Sequence, residues 1–318
     1  MQDLRLSLVM DGIELPAALT LPPQPLAALL LIPGSLNSDV DGNFAPMFPG
    51  QPACLPHAYK DLAEQLAAAR LAVLRYAKTG PGTGALVRDQ ALAAERYRSF
   101  HQRPRVAAAF LDELARRLPT LPLAVAGHSE GAVVATLLAR ARPDVRALAL
   151  LSGPSKPLLH LMLWQRFEQD RAAGAAGPEA EQAYAHAMAW AADYAADRPL
   201  PADLAHNPYA AMIPFFLQPQ NAPYLRSLEQ VDPAAEFAQV LQPALILQGG
   251  RDPSVIPENA DRLLQANPRA TVARFPQLQH FYKRAPEGLS PQESFALAQE
   301  SDPQVAQALA EWLRSVLA

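Results

Sequence analysis

Residues 123–135 read LAVAGHSEGAVVA. An apolar, β-prone run, Leu123–Ala126, stops at Gly127-His128-Ser129-Glu130-Gly131 and gives way to small and aliphatic residues, Ala132–Leu138, suited to a buried helix. The order is strand, tight turn, helix. In that setting a G-x-S-x-G pattern brackets Ser129 with glycines where a sharp, strained turn has no room for Cβ atoms, and the serine is pushed outward. The bare pattern arises by chance and is weak; between a strand and a helix it carries a mechanism. Ser129 is therefore the candidate nucleophile, and the rest of the chain has to supply an acid, a base and donors for an oxyanion.

The 318 residues suffice for one large α/β domain or a domain with an insertion, because single cores stop growing at about 250–300 residues. Half of them are hydrophobic, the formal net charge is −4 and mean hydropathy is near zero, the profile of a globular protein with material for a full core. No basic stripe of the kind nucleic-acid binders carry is present. The single cysteine, Cys54, excludes an intramolecular disulfide and a cysteine-based zinc cage. The N-terminal stretch alternates polar and apolar residues and lacks a basic segment followed by an apolar one. No apolar run reaches the roughly 20 residues that span a bilayer. The expectation is a cytoplasmic protein with no membrane insertion and no nucleic-acid partner; oligomeric state is not readable.

Outward from the serine, the chain alternates. Residues 4–10 and 13–21 read as strands joined at Asp11-Gly12, a hairpin signal. Leu26–Ile32, Leu71–Tyr76 and 145–151 are apolar runs suited to strands covered on both faces, with helices at 57–70 and 104–118 between them. This β-α-β pattern predicts a mostly parallel sheet flanked by helices. From Pro154 to Glu236 the pattern fails: only Ala-, Gln- and Met-rich helical segments occur, broken at Gly174–Pro178 and Arg198–Pro201. Trp164, Phe167, Trp190, Tyr194, Phe215, Phe216 and Tyr224 concentrate there. They are read as the small core of a helical cap, with some facing a ligand pocket. The sheet resumes at Ala244–Leu247 and 271–275, and the tail 305–317 is an amphipathic helix. The division is a core at 1–154, a cap at 155–236 and the core again at 237–318.

Loops at the carboxyl ends of the strands hold the chemistry, as open α/β sheets require. Asp39-Val40-Asp41-Gly42-Asn43 hints at a calcium loop, but the glycine comes too early and Gly50 stands where the bidentate Glu belongs. Gly34-Ser35, directly after a strand, instead suits a backbone N–H aimed at a developing negative charge, with the acidic residues shaping the loop. Gly80, Gly82 and Gly84 miss dinucleotide spacing by one residue and read as a glycine-rich turn. Asp252 and His280 each follow a late strand. Of the seven histidines, His128 lies inside the elbow, and His57, His101, His160, His186 and His206 lie in helical or linker sequence. Serine, acid, histidine in that chain order supplies a nucleophile, a base and the carboxylate that orients the base.

On these residues the chain resembles the α/β-hydrolase superfamily over nearly its whole length, and within it the bacterial serine-aminopeptidase-like and dienelactone-hydrolase-like esterases. In that group the oxyanion loop resembles G-S-G-P-T-D-R-D-G-N, matched by Gly34 to Asn43 apart from Leu36, Asn37, Ser38 and Val40. A Y-D-K-R-G turn appears as Tyr76-Ala77-Lys78-Thr79-Gly80, without the Asp and Arg. The resemblance implies Ser129 as nucleophile, His280 as base, Asp252 as its orienting acid, and the N–H groups of Ser35 and Glu130 as oxyanion hole. Charge complementarity offers Lys78 or Arg75 as partner for the Glu130 side chain. No metal or organic cofactor is expected, because an activated serine and an oxyanion hole suffice.

The activity expected is hydrolysis of small to medium acyl esters, a small-molecule ester being the partner. Acyl transfer, aminopeptidase, thioesterase and lactonase activities share the machinery. A non-catalytic binding protein on this fold is the alternative from another class.

Overall fold

The computed structural model describes residues 1–46, 53–199, 201–210, 213 and 220–317. The chain enters through a hairpin of β1 (Gln2–Met10) and β2 (Ile13–Leu21), whose turn residues Asp11 and Gly12 both have positive φ, 46° and 81°. A two-residue turn matched to strand twist needs that conformation. There follow β3 (Ala27–Ile32), β4 (Leu71–Tyr76), the two-residue β5 (Leu86–Val87), β6 (Leu123–His128), β7 (Val145–Leu151), β8 (Ala244–Gly249) and β9 (Thr271–Phe275). Among the described residues they form one sheet in the order β1-β2-β4-β3-β6-β7-β8-β9, with β5 beside β2. From β4 to β9 every neighbouring pair is parallel. β3, β4, β6 and β8 are buried at every residue, which explains why they read as unbroken apolar runs.

Helices cover both faces. α3 (Gln102–Arg117) and α4 (Glu130–Ala141) put Phe110, Leu114 and Leu138 on one face, after the short α2 (Gln90–Arg96). α1 (Ala58–Ala68) and the last helix, Pro303–Leu317, put Leu62, Leu66, Leu309 and Leu313 on the other. The strand order reverses at β3, whose neighbours β4 and β6 lie on opposite sides. The loops after β3 and β6 therefore face each other across a switch point, where such sheets bind ligands.

Between β7 and β8 run α5 (Leu158–Ala172), α6 (Pro178–Ala195), a 3₁₀ turn at Ala202–His206 and helices Ala222–Glu229 and Pro233–Ala238. They enclose a cluster of their own that includes Leu159, Leu163, Trp190, Tyr194 and Leu225. Trp190 and Tyr194 are thus core residues of this helical segment, as expected from the sequence, with Phe167 and Tyr224 packed at its margin. Gly50, Phe215 and Phe216 lie outside the described residues.

Three elements go beyond the sequence reading. β5 has two exposed residues and α2 buries only Ala93, so neither carries a periodic apolar signal. Helix Pro291–Phe295 is a single turn stabilised by a capping box between Ser290 and Glu293.

Candidate active site

Ser129 sits between β6 and α4 with φ 55° and ψ −124°, a region costly for any residue with a Cβ. Its N–H donates to Leu151 O at 2.8 Å, which fastens the turn to β7. The flanking glycines are required by contact. A Cβ on Gly127 would lie 2.0 Å from Gly131 O, and one on Gly131 would lie 2.4 Å from Ile32 O.

The loops after β8 and β9 bring Asp252 and His280 together. His280 Nδ1 lies 2.8 Å from Asp252 Oδ2, and both side chains are buried. Asp252 Oδ1 accepts from Ser254 N and Val255 N, at 2.9 Å each, so the carboxylate is fixed at both oxygens. With Nδ1–H donating to the carboxylate, the other ring nitrogen is left as an acceptor. His280 and Ser129 line the same cleft, of about 170 Å³. Among the described residues no hydrogen bond joins Ser129 Oγ to the imidazole; contacts of this kind commonly tighten only around substrate.

Ser35 and Glu130 enter from the two strands at the switch point. Ile32 of β3 pairs with Gly127 of β6, so the chain leaves both strands side by side. Neither Ser35 N–H nor Glu130 N–H has a protein acceptor among the described residues. Glu130 opens α4, where backbone N–H groups lack intrahelical partners and the helix dipole is positive.

A buried ion pair lies under these two amides. Lys78 Nζ donates to Gly34 O at 2.6 Å and to Glu130 Oε1 at 2.9 Å, and Ser35 Oγ donates to Glu130 Oε2 at 3.4 Å. Burial lowers the Lys78 pKa to about 8, helped by the Arg103 charge and opposed by Glu130. Burial works against the Glu130 carboxylate as well, yet the Lys78 and Arg103 charges hold its pKa below the ordinary value. Of the two cations matched to Glu130 by charge, Lys78 is the partner. Arg75 instead binds Asp3 and Asp41, at 3.0 Å each, and Thr20. Asp39 Oδ1 accepts from Asp41 N and Asn43 N, so acidic residues do shape this loop.

His128, inside the elbow, is buried and linked to the Gly34 loop, helix α1 and the His280 loop at once. Gly34 N–H donates to Tyr59 Oη at 2.8 Å, Tyr59 Oη lies 3.2 Å from His128 Nδ1, and His128 Nε2 lies 2.9 Å from His280 O. Burial, followed by the neighbouring His280, drives the His128 pKa well below the ordinary imidazole range. The neutral ring then accepts from Tyr59 at Nδ1 and donates from Nε2 to His280 O, an assignment made from the hydrogen-bond partners. Tyr59 is invisible to sequence reasoning: its position in an amphipathic helix explains it without a role. Lys283, also buried, pins the His280 loop by donating to Pro56 O at 2.7 Å and Leu297 O at 2.8 Å.

The cleft wall is mainly apolar, from Val133, Leu158, Leu161, Leu228, Val231 and Phe295. The expectation that aromatics of the helical segment face it is not met by the described ones. Phe295 is the aromatic there, while Trp164, Phe167, Trp190, Tyr194 and Tyr224 pack elsewhere. Aliphatic side chains at the first turn of α5 reach the cleft because that turn follows directly on β7.

The profile described as the alpha/beta hydrolase family matches residues 29–292. The chain belongs to that family. No curated protein sequence matches it. Among solved structures it is similar to the esterase domain of a Rhodothermus marinus protein, at 19% identity, covering 100% of both chains with a TM-score of 0.55. It is similar to Est1E of Butyrivibrio proteoclasticus bound to ferulic acid, at 18% identity, covering 98% of both with a TM-score of 0.57. A 2,6-dihydroxy-pseudo-oxynicotine hydrolase matches at 18% identity over 99% of this chain and 68% of its own, with a TM-score of 0.54. Identities at this level speak for the fold.

Proposed function

We propose that this protein is a serine esterase that cleaves small to medium acyl esters through an acyl-serine intermediate. The observation that carries this is the fixed Asp252–His280 pair at 2.8 Å in the wall of the cleft onto which the strained Ser129 opens. His280 takes the Ser129 proton as Oγ attacks the ester carbonyl, and the oxygen that becomes negative is received by the Ser35 and Glu130 N–H groups. Collapse of the tetrahedral species expels the alcohol, which the imidazolium protonates; water then repeats the sequence on the acyl-serine.

Lys78 has a positioning role in this scheme. It donates to Gly34 O, the far end of the amide whose N–H is that of Ser35. A cation at the carbonyl draws electron density toward oxygen and leaves the N–H a better donor. The same ammonium holds Glu130, which bears the second donor, so one ion pair orients both.

Residues 155–236 act as a cap that supplies the aliphatic wall and sets acyl length, which accords with the small to medium substrates proposed. Ester cleavage is favoured over aminopeptidase action by the acids of the cleft. Among the described residues Glu130 is the acid lining it, and Lys78 already neutralises that carboxylate, so a substrate ammonium has no free partner. That one of the similar structures is an esterase domain agrees with this reading. The test is hydrolysis of p-nitrophenyl esters of increasing acyl length by wild type and Ser129→Ala, with a fluorophosphonate label on both. Turnover and labelling are expected to vanish together in the variant. Labelling without ester turnover would move the function to amide, thioester or acyl-transfer chemistry, and no labelling of the wild type would leave a binding protein.

A further inference from the structure

Apart from Ser129 and the two oxyanion-hole amides, two side chains lining the cleft stand out for lacking a hydrogen-bond or ion-pair partner among the described residues. Ser35, Glu130 and His280 are each hydrogen-bonded within the scaffold. Lys156, by contrast, makes no ion pair and no hydrogen bond with any described residue, and its ammonium stands over the Trp164 ring at 5.4 Å. Ser254 Oγ is buried without a hydrogen-bond partner among the described residues. Both residues line the cleft that contains Ser129 and His280.

The two belong to adjoining, fastened segments. Ser155 donates from N and Oγ to Asn259 Oδ1, at 2.9 and 2.8 Å, and Asn259 Nδ2 donates to Ile256 O at 2.9 Å. Gln165 of α5 further donates to Ser254 O at 3.1 Å. Local charge is positive: Arg262 covers the same Trp164 ring at 5.3 Å. Of the acids around it, Asp232, whose charge acts on Lys156, is engaged as a helix cap by Ala234 N and Ala235 N at 3.0 Å, and Glu168 accepts from Trp164 Nε1 at 3.0 Å and from Arg171 Nε at 2.9 Å. Burial and the Arg262 charge lower the Lys156 pKa, and Asp232 opposes them only in part. An unneutralised cation and an orphaned buried hydroxyl in the lining of one cleft cost free energy that a complementary ligand group would recover.

We infer that Lys156 and Ser254 form an anion subsite, and that the preferred substrates are esters carrying a carboxylate remote from the scissile bond, such as monoesters of dicarboxylic acids. The inference rests on the esterase reading. Lys156 donates a charge-assisted hydrogen bond to that carboxylate, Ser254 Oγ, shut off from solvent in the free protein, donates a second after rotation about its Cα–Cβ bond, and the methylenes between carboxylate and ester lie along the aliphatic wall. A neutral acyl chain of the same length leaves both donors unpaired, which is how a polar pocket rejects an apolar analogue.

The experiment compares kcat/KM for mono-p-nitrophenyl adipate and suberate with p-nitrophenyl hexanoate and octanoate, in wild type, Lys156→Met, Lys156→Arg, Lys156→Glu, Ser254→Ala and Ser129→Ala. The ratio of acidic to neutral ester is expected to fall about tenfold in Lys156→Met, the lower end of what a charged hydrogen bond contributes. It is expected to recover in Lys156→Arg and to fall furthest in Lys156→Glu, with Ser254→Ala lowering it severalfold. An unchanged ratio in Lys156→Met and Lys156→Glu, with turnover abolished in Ser129→Ala, would overturn the subsite and leave the esterase standing. Turnover that survives in Ser129→Ala would overturn the esterase reading and the subsite with it.

Discussion

The strand ends and the helical wall of the cleft are built on opposite plans. At the strand ends nearly every polar atom is committed: Asp252 is held at both oxygens, Lys78 at two acceptors and His128 at both nitrogens. On the wall contributed by residues 155–236 the side chains are aliphatic apart from Lys156, which has no ion-pair or hydrogen-bond partner among the described residues. A rigid, hydrogen-bonded scaffold suits chemistry common to all substrates, because catalytic groups must be held within fractions of an ångström. An aliphatic wall discriminates by fit, where each methylene counts for little on its own. The difference teaches where rate and specificity reside. Changes at the strand ends should alter kcat for every ester alike, and changes on the wall should alter the ranking of esters.

The strongest test of the first half is Ser129→Ala, expected to lower kcat at least about a thousandfold across a whole ester series. A loss confined to some chain lengths would break the division. Lys78→Met comes next. Because it removes support from the donors and leaves the donors themselves, its cost in kcat should be about ten- to a hundredfold, below that of losing a donor outright. KM should move little, and Lys78→Arg should recover part of the rate.

The same lysine gives the comparison a pH signature. Its pKa of about 8 means that the ammonium discharges as pH rises through that value, so kcat/KM should decline there. In Lys78→Arg, whose guanidinium stays charged, the alkaline decline should move to higher pH. On the wall, Leu161→Ala should change kcat/KM for the preferred ester by about tenfold and shift the optimum toward longer acyl chains. Equal losses across the series would assign Leu161 to the scaffold instead.

The smallest effect is on stability, and it has the opposite sign to the effect on rate. The folded-state pKa of Lys78 lies below its ordinary 10.5, so the unfolded chain binds more protons between about pH 8 and 10.5. Stability then rises with pH across that window while activity falls. The urea midpoint of the wild type, measured at several pH values against that of Lys78→Met, should rise relative to the variant across that window; parallel curves would mean that folding leaves the Lys78 pKa unshifted.

Legibility in the sequence follows the same divide. Leu71–Tyr76 and 145–151 are strands with the bounds that their apolar runs predict, the edge strand expected at 271–275 is found there, and the helix expected at 57–70 spans Ala58–Ala68. A strand buried on both faces has to be apolar throughout, so its pattern survives in one dimension. The elbow is equally plain, because Gly127 and Gly131 are imposed by local contacts. The sequence also placed Ser129, Asp252 and His280 at strand ends on one edge of the sheet, since topology alone sends those loops there.

What only the tertiary structure decided is which polar groups meet. That Glu130 pairs with Lys78 and leaves Arg75 to Asp3 and Asp41 depends on the positions of separate loops in space. So do the relay from Gly34 through Tyr59 to His128, and the absence of partners for Lys156 and Ser254 among the described residues. Composition and periodicity record whether a side chain is buried. A hydrogen bond between residues far apart in the chain is a fact of distance and direction, and it exists only once the fold has set both.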